Sequence, residues 1–136
     1  MSLKAGETNI NQITLLLLLG LFLSLTGCGV PGNPTAKDIL DDYPEADIIK
    51  LDDLIYLKTT NPESEPSDGY SKGAKIGEIK KTTTNALLFG NLNASKLPKG
   101  TEVFSTDEDY QSGDPVFTIL VEIDGELIAY HVLLEG

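Results

Sequence analysis

Apolar and polar positions alternate most regularly at the end of the chain. There VFTILVEI (116–123) and ELIAYHVLL (126–134) flank Asp124-Gly125. Period-two patterning around a two-residue Asp-Gly turn predicts a β-hairpin, because both residues accept the positive φ of a type I′ turn. The pairing places Ile123 opposite Glu126, Val121 opposite Ile128 and Ile119 opposite Tyr130. One face then collects Phe117, Ile119, Val121, Ile128, Tyr130 and Val132. The other carries Leu120, Leu127, Ala129 and Leu133 among Thr118, Glu122 and His131. Both faces are partly apolar, which predicts a central position in a sheet.

Shorter extended pieces precede the hairpin. Ile48–Leu51 and Leu54–Leu57 surround Asp52-Asp53, a pattern for a hairpin or bent strand pair. AKIGEIKKTTTNALLF (74–89) has Ile76 and Ile79 around Gly77, and its threonine run favours strand. Gly77 reads as a bulge or a close strand approach. GNLNASKLPKG (90–100) is a loop with a tight turn at Pro98-Lys99-Gly100. Val103 and Phe104 form a short strand, and DEDYQSGDP (107–115) an acidic turn. KDILDDYPEAD (37–47) has room for a helical turn that Pro44 stops near Tyr43. NPESEPSDGYSKG (61–73) reads as a surface loop. The fold class that follows is all-β, a small antiparallel barrel or sandwich over residues 46–136.

The start of the chain is different. ITLLLLLGLFLSL (13–25) is a continuous apolar run of 13 residues. That is shorter than the about 20 a membrane-spanning helix needs and suits the helical core of a signal peptide. Leu25-Thr26-Gly27-Cys28 follows at once, and Cys28 is the sole cysteine. With no partner in the chain it cannot form an internal disulfide. The alternative, a buried thiol at the end of a core helix, lacks a second helix pattern to pack against. Glycine, proline and small polar residues then continue to Ala36, as in a tether. The expected organisation is a signal peptide over 1–27, a lipidated Cys28 and tether over 28–45, and the β domain.

Leu25-Thr26-Gly27-Cys28 resembles the lipobox of bacterial lipoproteins. The resemblance implies that the Cys28 thiol receives a diacylglyceryl group and that cleavage falls just before it. The expected location is the extracytoplasmic face of the cell membrane. The remainder resembles a group of small Gram-positive lipoproteins to which no activity is assigned. The shared pieces are Ala46-Asp47-Ile48, Ile55-Tyr56, Gly73-Ala74-Lys75-Ile76-Gly77-Glu78-Ile79, Ala94-Ser95-Lys96-Leu97-Pro98-Lys99-Gly100-Thr101, Tyr130 and Glu135-Gly136. The likeness departs in the loop between Tyr56 and Gly73. A weaker similarity runs to bacterial SH3-like barrels through IGEIKK and LPKGTEVF, without an evident aromatic groove.

Charge narrows the chemistry. The net charge is −11, from 21 acids against 10 bases, all lysine. No basic stripe offers itself to phosphate, which excludes nucleic acid as a partner. Asp107, Asp109, Gln111, Gly113 and Asp114 suggest a calcium loop, but an EF-hand frame puts Ser112 where glycine belongs and Thr118 where glutamate belongs. His131 is the only imidazole and has no second ligand or base beside it in sequence. Asp52 and Asp53 are adjacent on extended chain and point apart, so they cannot flank one glycosidic bond. Ser95-Lys96 would need a buried lysine, and this one lies beside a turn. The expectation is therefore a non-enzymatic, monomeric binding or envelope component with no cofactor, no catalytic residue and no metal ligand. A cation-binding module, or an inhibitor presenting loop 61–72 to an extracellular enzyme, is the alternative.

Overall fold

A computed structural model of the chain describes residues 32–58 and 69–135. The expected signal peptide, the lipobox ending at Cys28 and most of the loop over 61–72 lie outside the described residues. One short helix, α1 (Ala36–Asp42), precedes eight strands. These are β1 (Ile48–Leu51), β2 (Leu54–Lys58), β3 (Lys75–Glu78), β4 (Lys81–Thr82), β5 (Asn93–Ala94), β6 (Glu102–Ser105), β7 (Thr118–Ile123) and β8 (Glu126–Val132). A 3₁₀ turn, Ala86–Leu88, lies between β4 and β5. The class is all-β, as the patterning predicts.

The strands form one curled sheet in the order β3-β6-β7-β8-β2-β1-β5-β4. Its two edges, β3 and β4, are consecutive pieces of one segment, separated only by Ile79 and Lys80. That segment bonds in both directions. On one side the Ile79 N–H donates to Thr101 O and the Gly100 N–H to Ile79 O, both at 2.8 Å. On the other, the Lys80 N–H donates to Leu92 O at 2.8 Å and the Thr83 N–H to Ala94 O at 2.9 Å. The sheet thus curls onto its own edge, which leaves few backbone groups unpaired at a rim.

One pairing departs from the antiparallel expectation: β4 and β5 run parallel. The reason is parity. With β3 and β4 counted as one segment, the eight strands make a ring of seven. A ring of antiparallel neighbours needs an even number, so one of the seven pairs must be parallel. The 3₁₀ turn and its flanking residues provide the crossover that a parallel pair requires.

The terminal hairpin has the expected register, from Ile123↔Glu126 through Val121↔Ile128 to Ile119↔Tyr130. Asp124 and Gly125 take φ of 52° and 82°, as a type I′ turn demands. The hairpin lies in the middle of the sheet, between β6 and β2. Asp52-Asp53 turns β1 into β2, with Asp52 at φ 50° and its N–H donating to Asn91 Oδ1. In β3 the pairing with β6 shifts between Lys75 and Gly77, a bulge where Gly77 was expected to allow one. A Cβ on Gly77 would stand 2.8 Å from Leu92 Cδ1.

Alternation along each strand sorts side chains into two cores. Ile49, Leu51, Tyr56, Ile79, Leu92, Val103, Ile119, Val121 and Tyr130 fill the concave face. Tyr130 is buried, and its hydroxyl donates to Asp47 Oδ1 at 2.9 Å. Ile48 and Ile55, one residue out of phase, join Ala36, Leu40 and Phe89 in a second core on the convex face. Helix α1 supplies that cover. Its first turn is a capping box, in which the Asp38 N–H donates to the Thr35 hydroxyl and the Thr35 N–H to the Asp38 carboxylate. The bond from the Thr35 N–H, joined by one from the Thr35 hydroxyl at 2.8 Å, holds the Asp38 carboxyl below its usual range. Pro44 follows the helix, as expected. The compact unit begins at Asn33, whose side chain accepts from the Glu135 N–H. It therefore takes in residues whose composition reads as tether.

Ile119 is fully buried, whereas Ile128 is half-buried. Ile119→Ala should cost about 3 kcal/mol, within the range for cavity-forming changes, and Ile128→Ala distinctly less. Gly125→Val should also destabilise, because a β-branched residue resists φ of 82°. Chemical denaturation checks the order. A larger cost at Ile128 than at Ile119 would overturn the assignment of the concave core.

Candidate functional site

Among the described residues, three concavities stand out. A wide depression of about 840 Å³ lies over the closing segment and includes Lys75, Lys80 and Lys99. An apolar groove of about 650 Å³ runs beside α1, between Ile39, Tyr43, Leu57 and Leu133. A smaller cleft of about 260 Å³ sits between the acidic turn and the start of the terminal hairpin. Of these three, the cleft combines several aromatic rings with charge of one sign. Tyr70, Tyr110 and Phe117 line it with Asp107 and Asp114, and among the described residues no basic side chain does.

The backbone under the cleft is closely fixed. Ser105, at the end of β6, is buried, and its hydroxyl both accepts from the Asp107 N–H and donates to the Asp107 carbonyl. The chain entering β3 docks alongside. The Gly73 N–H donates to Ser105 O at 2.8 Å and the Ala74 N–H to Asp107 O at 3.0 Å. Glycine is required at 73, since a Cβ there would meet the Asp107 backbone at 2.5 Å. Within the turn the Asp109 N–H donates to Asp107 Oδ1 and the Gln111 N–H to Asp114 Oδ2, both at 2.8 Å. Each carboxylate therefore keeps acceptor capacity for something outside the turn.

The far wall is tied to the barrel interior. The Tyr56 hydroxyl donates to Val116 O at 2.6 Å. Burial, aided by Asp52 and Tyr110, pushes the Tyr56 phenol up to about 12. Val116 packs against the concave core, while the next residue, Phe117, is 68% exposed. Strand alternation assigns Phe117 to the buried face with Ile119. That expectation fails because regular pairing begins only at Thr118, and Val116 takes the interior place instead. Behind the cleft, Thr118 Oγ1 and His131 Nδ1 are 2.9 Å apart. The His131 ring lies 6.0 Å from that of Tyr70, tilted by 56°.

The other residues weighed for chemistry are structural or exposed. Asp52 and Asp53 are exposed in a hairpin turn. The Ser95 hydroxyl accepts from the Ile48 N–H and donates to Ala46 O, which pins the start of β1. Lys96 is partly exposed and pairs with Glu45 at 2.6 Å, lowering the Glu45 pKa. The residues of the suspected calcium loop do form the acidic turn. Among the described residues, no group of three or more acid, histidine or cysteine side chains converges as metal ligands do. The aromatic cleft escapes sequence reading because its rings come from positions 70, 110 and 117. The one local signal is Tyr110, an aromatic residue inside an otherwise polar turn.

No protein family matches the chain, and no curated protein or solved structure matches it either. The geometry of the cleft therefore carries the functional reading.

Gly73→Ala should cost about 1–3 kcal/mol through the forced separation of backbones. Gly69→Ala, where a Cβ meets nothing within 4 Å, is the matched control. Equal melting temperatures for the two variants would contradict the close docking. Tyr56 also predicts a pH dependence. Below about pH 10 the phenol is protonated in both the folded and the unfolded chain. Between about 10 and about 12 the unfolded chain loses this proton first, so stability falls as pH rises through that window. Tyr56→Phe should flatten that part of the alkaline unfolding profile.

Proposed function

We propose that the chain is a lipid-anchored lipoprotein of the extracytoplasmic membrane face that works by binding rather than catalysis. The observation that carries the binding half is the cleft, where an exposed phenylalanine and two tyrosines gather against two carboxylates. Exposed aromatic groups on a fixed backbone offer contact area at low entropic cost. The anchor half rests on sequence: an apolar run of 13 residues directly followed by Leu-Thr-Gly-Cys. Two acyl chains on one cysteine hold a protein at a bilayer far more firmly than one. In the non-enzymatic reading, His131 supports Thr118 and Tyr70, and Ser95 fixes β1. The net charge of −11 keeps the domain off anionic polymers. The domain acts as a monomer, with its ligand taken from the envelope space.

Metabolic labelling with a fatty acid tests the anchor. The parent chain should incorporate label and fractionate with membranes. Cys28→Ala should lose the label and keep the leader uncleaved. Label that persists in Cys28→Ala would refute the lipidation site.

A further inference from the structure

We infer that the cleft between the acidic turn and the terminal hairpin binds an alkylammonium group, the chemistry of a lysine side chain. The inference rests on the binding reading above and names its ligand class. Charge complementarity is the first ground. Among the described residues, Asp107 and Asp114 are the only charged ones lining the cleft. Four lysines elsewhere pair with other acids: Lys72 with Glu122, Lys75 with Glu78 and Glu102, Lys96 with Glu45, Lys37 with Asp41. None of these ion pairs reaches the cleft, so its carboxylates face outward without a resident counter-charge among the described residues.

The aromatic rings are the second and independent ground. A cation over a ring face is attracted by the ring quadrupole, and the attraction strengthens as water is excluded. Tyr70, Tyr110 and Phe117 supply three such rings at the same opening. The protein already makes one such contact elsewhere, with Lys72 Nζ 4.8 Å from the Phe104 ring centroid. Phe117 is large, apolar and 68% exposed at this opening, so its ring is within reach of a ligand. Size is the third ground. A volume of about 260 Å³ is below the range of pockets for drug-sized molecules, and it suits a single side chain. A hard divalent cation needs six or more converging oxygens, whereas rings and two carboxylates suit a soft, organic cation.

Aromatic-region NMR on the full-length protein in non-ionic detergent tests the inference. The probes are the blocked peptide acetyl-Gly-Lys-Gly-amide, the same peptide with an acetylated lysine, butylammonium chloride and calcium chloride. The lysine peptide should shift the Tyr70, Tyr110 and Phe117 ring signals saturably, and added salt should weaken it. The acetylated peptide should leave them in place. Phe117→Ala, and the double variant Asp107→Asn with Asp114→Asn, should each weaken binding about tenfold while the remaining spectrum stays folded. Asn keeps the oxygen that caps the turn, so the fold is a fair control. Shifts with butylammonium as well assign the site to free alkylamines, and shifts with the peptide alone assign it to protein lysines. Either supports the inference. Equal shifts from the acetylated peptide, unaffected by the Asn variant, would overturn the cationic ligand yet leave the cleft a binding surface. Shifts with calcium alone would also overturn it. Silence with every probe would overturn both readings, and fatty-acid labelling at Cys28 would be untouched by that result.

Discussion

Everything in this fold depends on one segment having neighbours on both sides. Around Ile79 and Lys80 the backbone bonds toward β6 in one direction and toward β5 in the other. Without that double commitment the sheet would be open, with a free edge at β3 and another at β5. Ile79 itself is buried in the concave core, so the closing bonds form inside a desolvated environment where an unmade bond is costly. The closure also explains smaller features. Leu92 takes φ of 56°, an unfavourable value for leucine, and its backbone bonds both Lys50 and Lys80. Gly77 lacks a side chain because Leu92 lies against it.

The sequence disclosed the hairpins and allowed a barrel, but not the segment that closes it. Alternation around Asp124-Gly125 is a local signal, and its register follows from the turn. The same holds for the strands on either side of Asp52-Asp53. Closure between residues 79–83 and residues 92–101 leaves no periodic trace, because β4 and β5 are two residues each. Pairing that short is decided by tertiary context. The helix was visible only as a turn near Pro44. Its cap at Thr35 lies within a stretch of glycine, proline and small residues, which masks the Thr-x-x-Asp pattern.

The site was hidden for a related reason. Composition shows the acids of the turn, and their spacing invites a metal reading. The aromatic half comes from three separate stretches, and one of them, Phe117, breaks the alternation that defines the hairpin beside it. Local rules fail at Phe117 because the Tyr56 hydroxyl holds the Val116 carbonyl and Val116 fills the core position. A place where pattern and structure disagree, on an otherwise consistent strand, is where function is commonly found.

The ring also distributes the cost of ordering the chain unevenly. Two of its pairings, β1–β2 and β7–β8, close through two-residue turns and lose little chain entropy. The β2–β8 pairing is different, because Tyr56 meets Val132 across 76 residues of sequence (132 − 56). Loop-closure entropy rises with the logarithm of that separation, and non-local pairings of this kind set slow folding rates. The β1–β5 pairing, Ile49 with Ala94, is also non-local, but β2–β8 spans more sequence and is the longer-range seam. Tyr130, whose hydroxyl reaches Asp47 across that same seam, is the residue that rewards its closing.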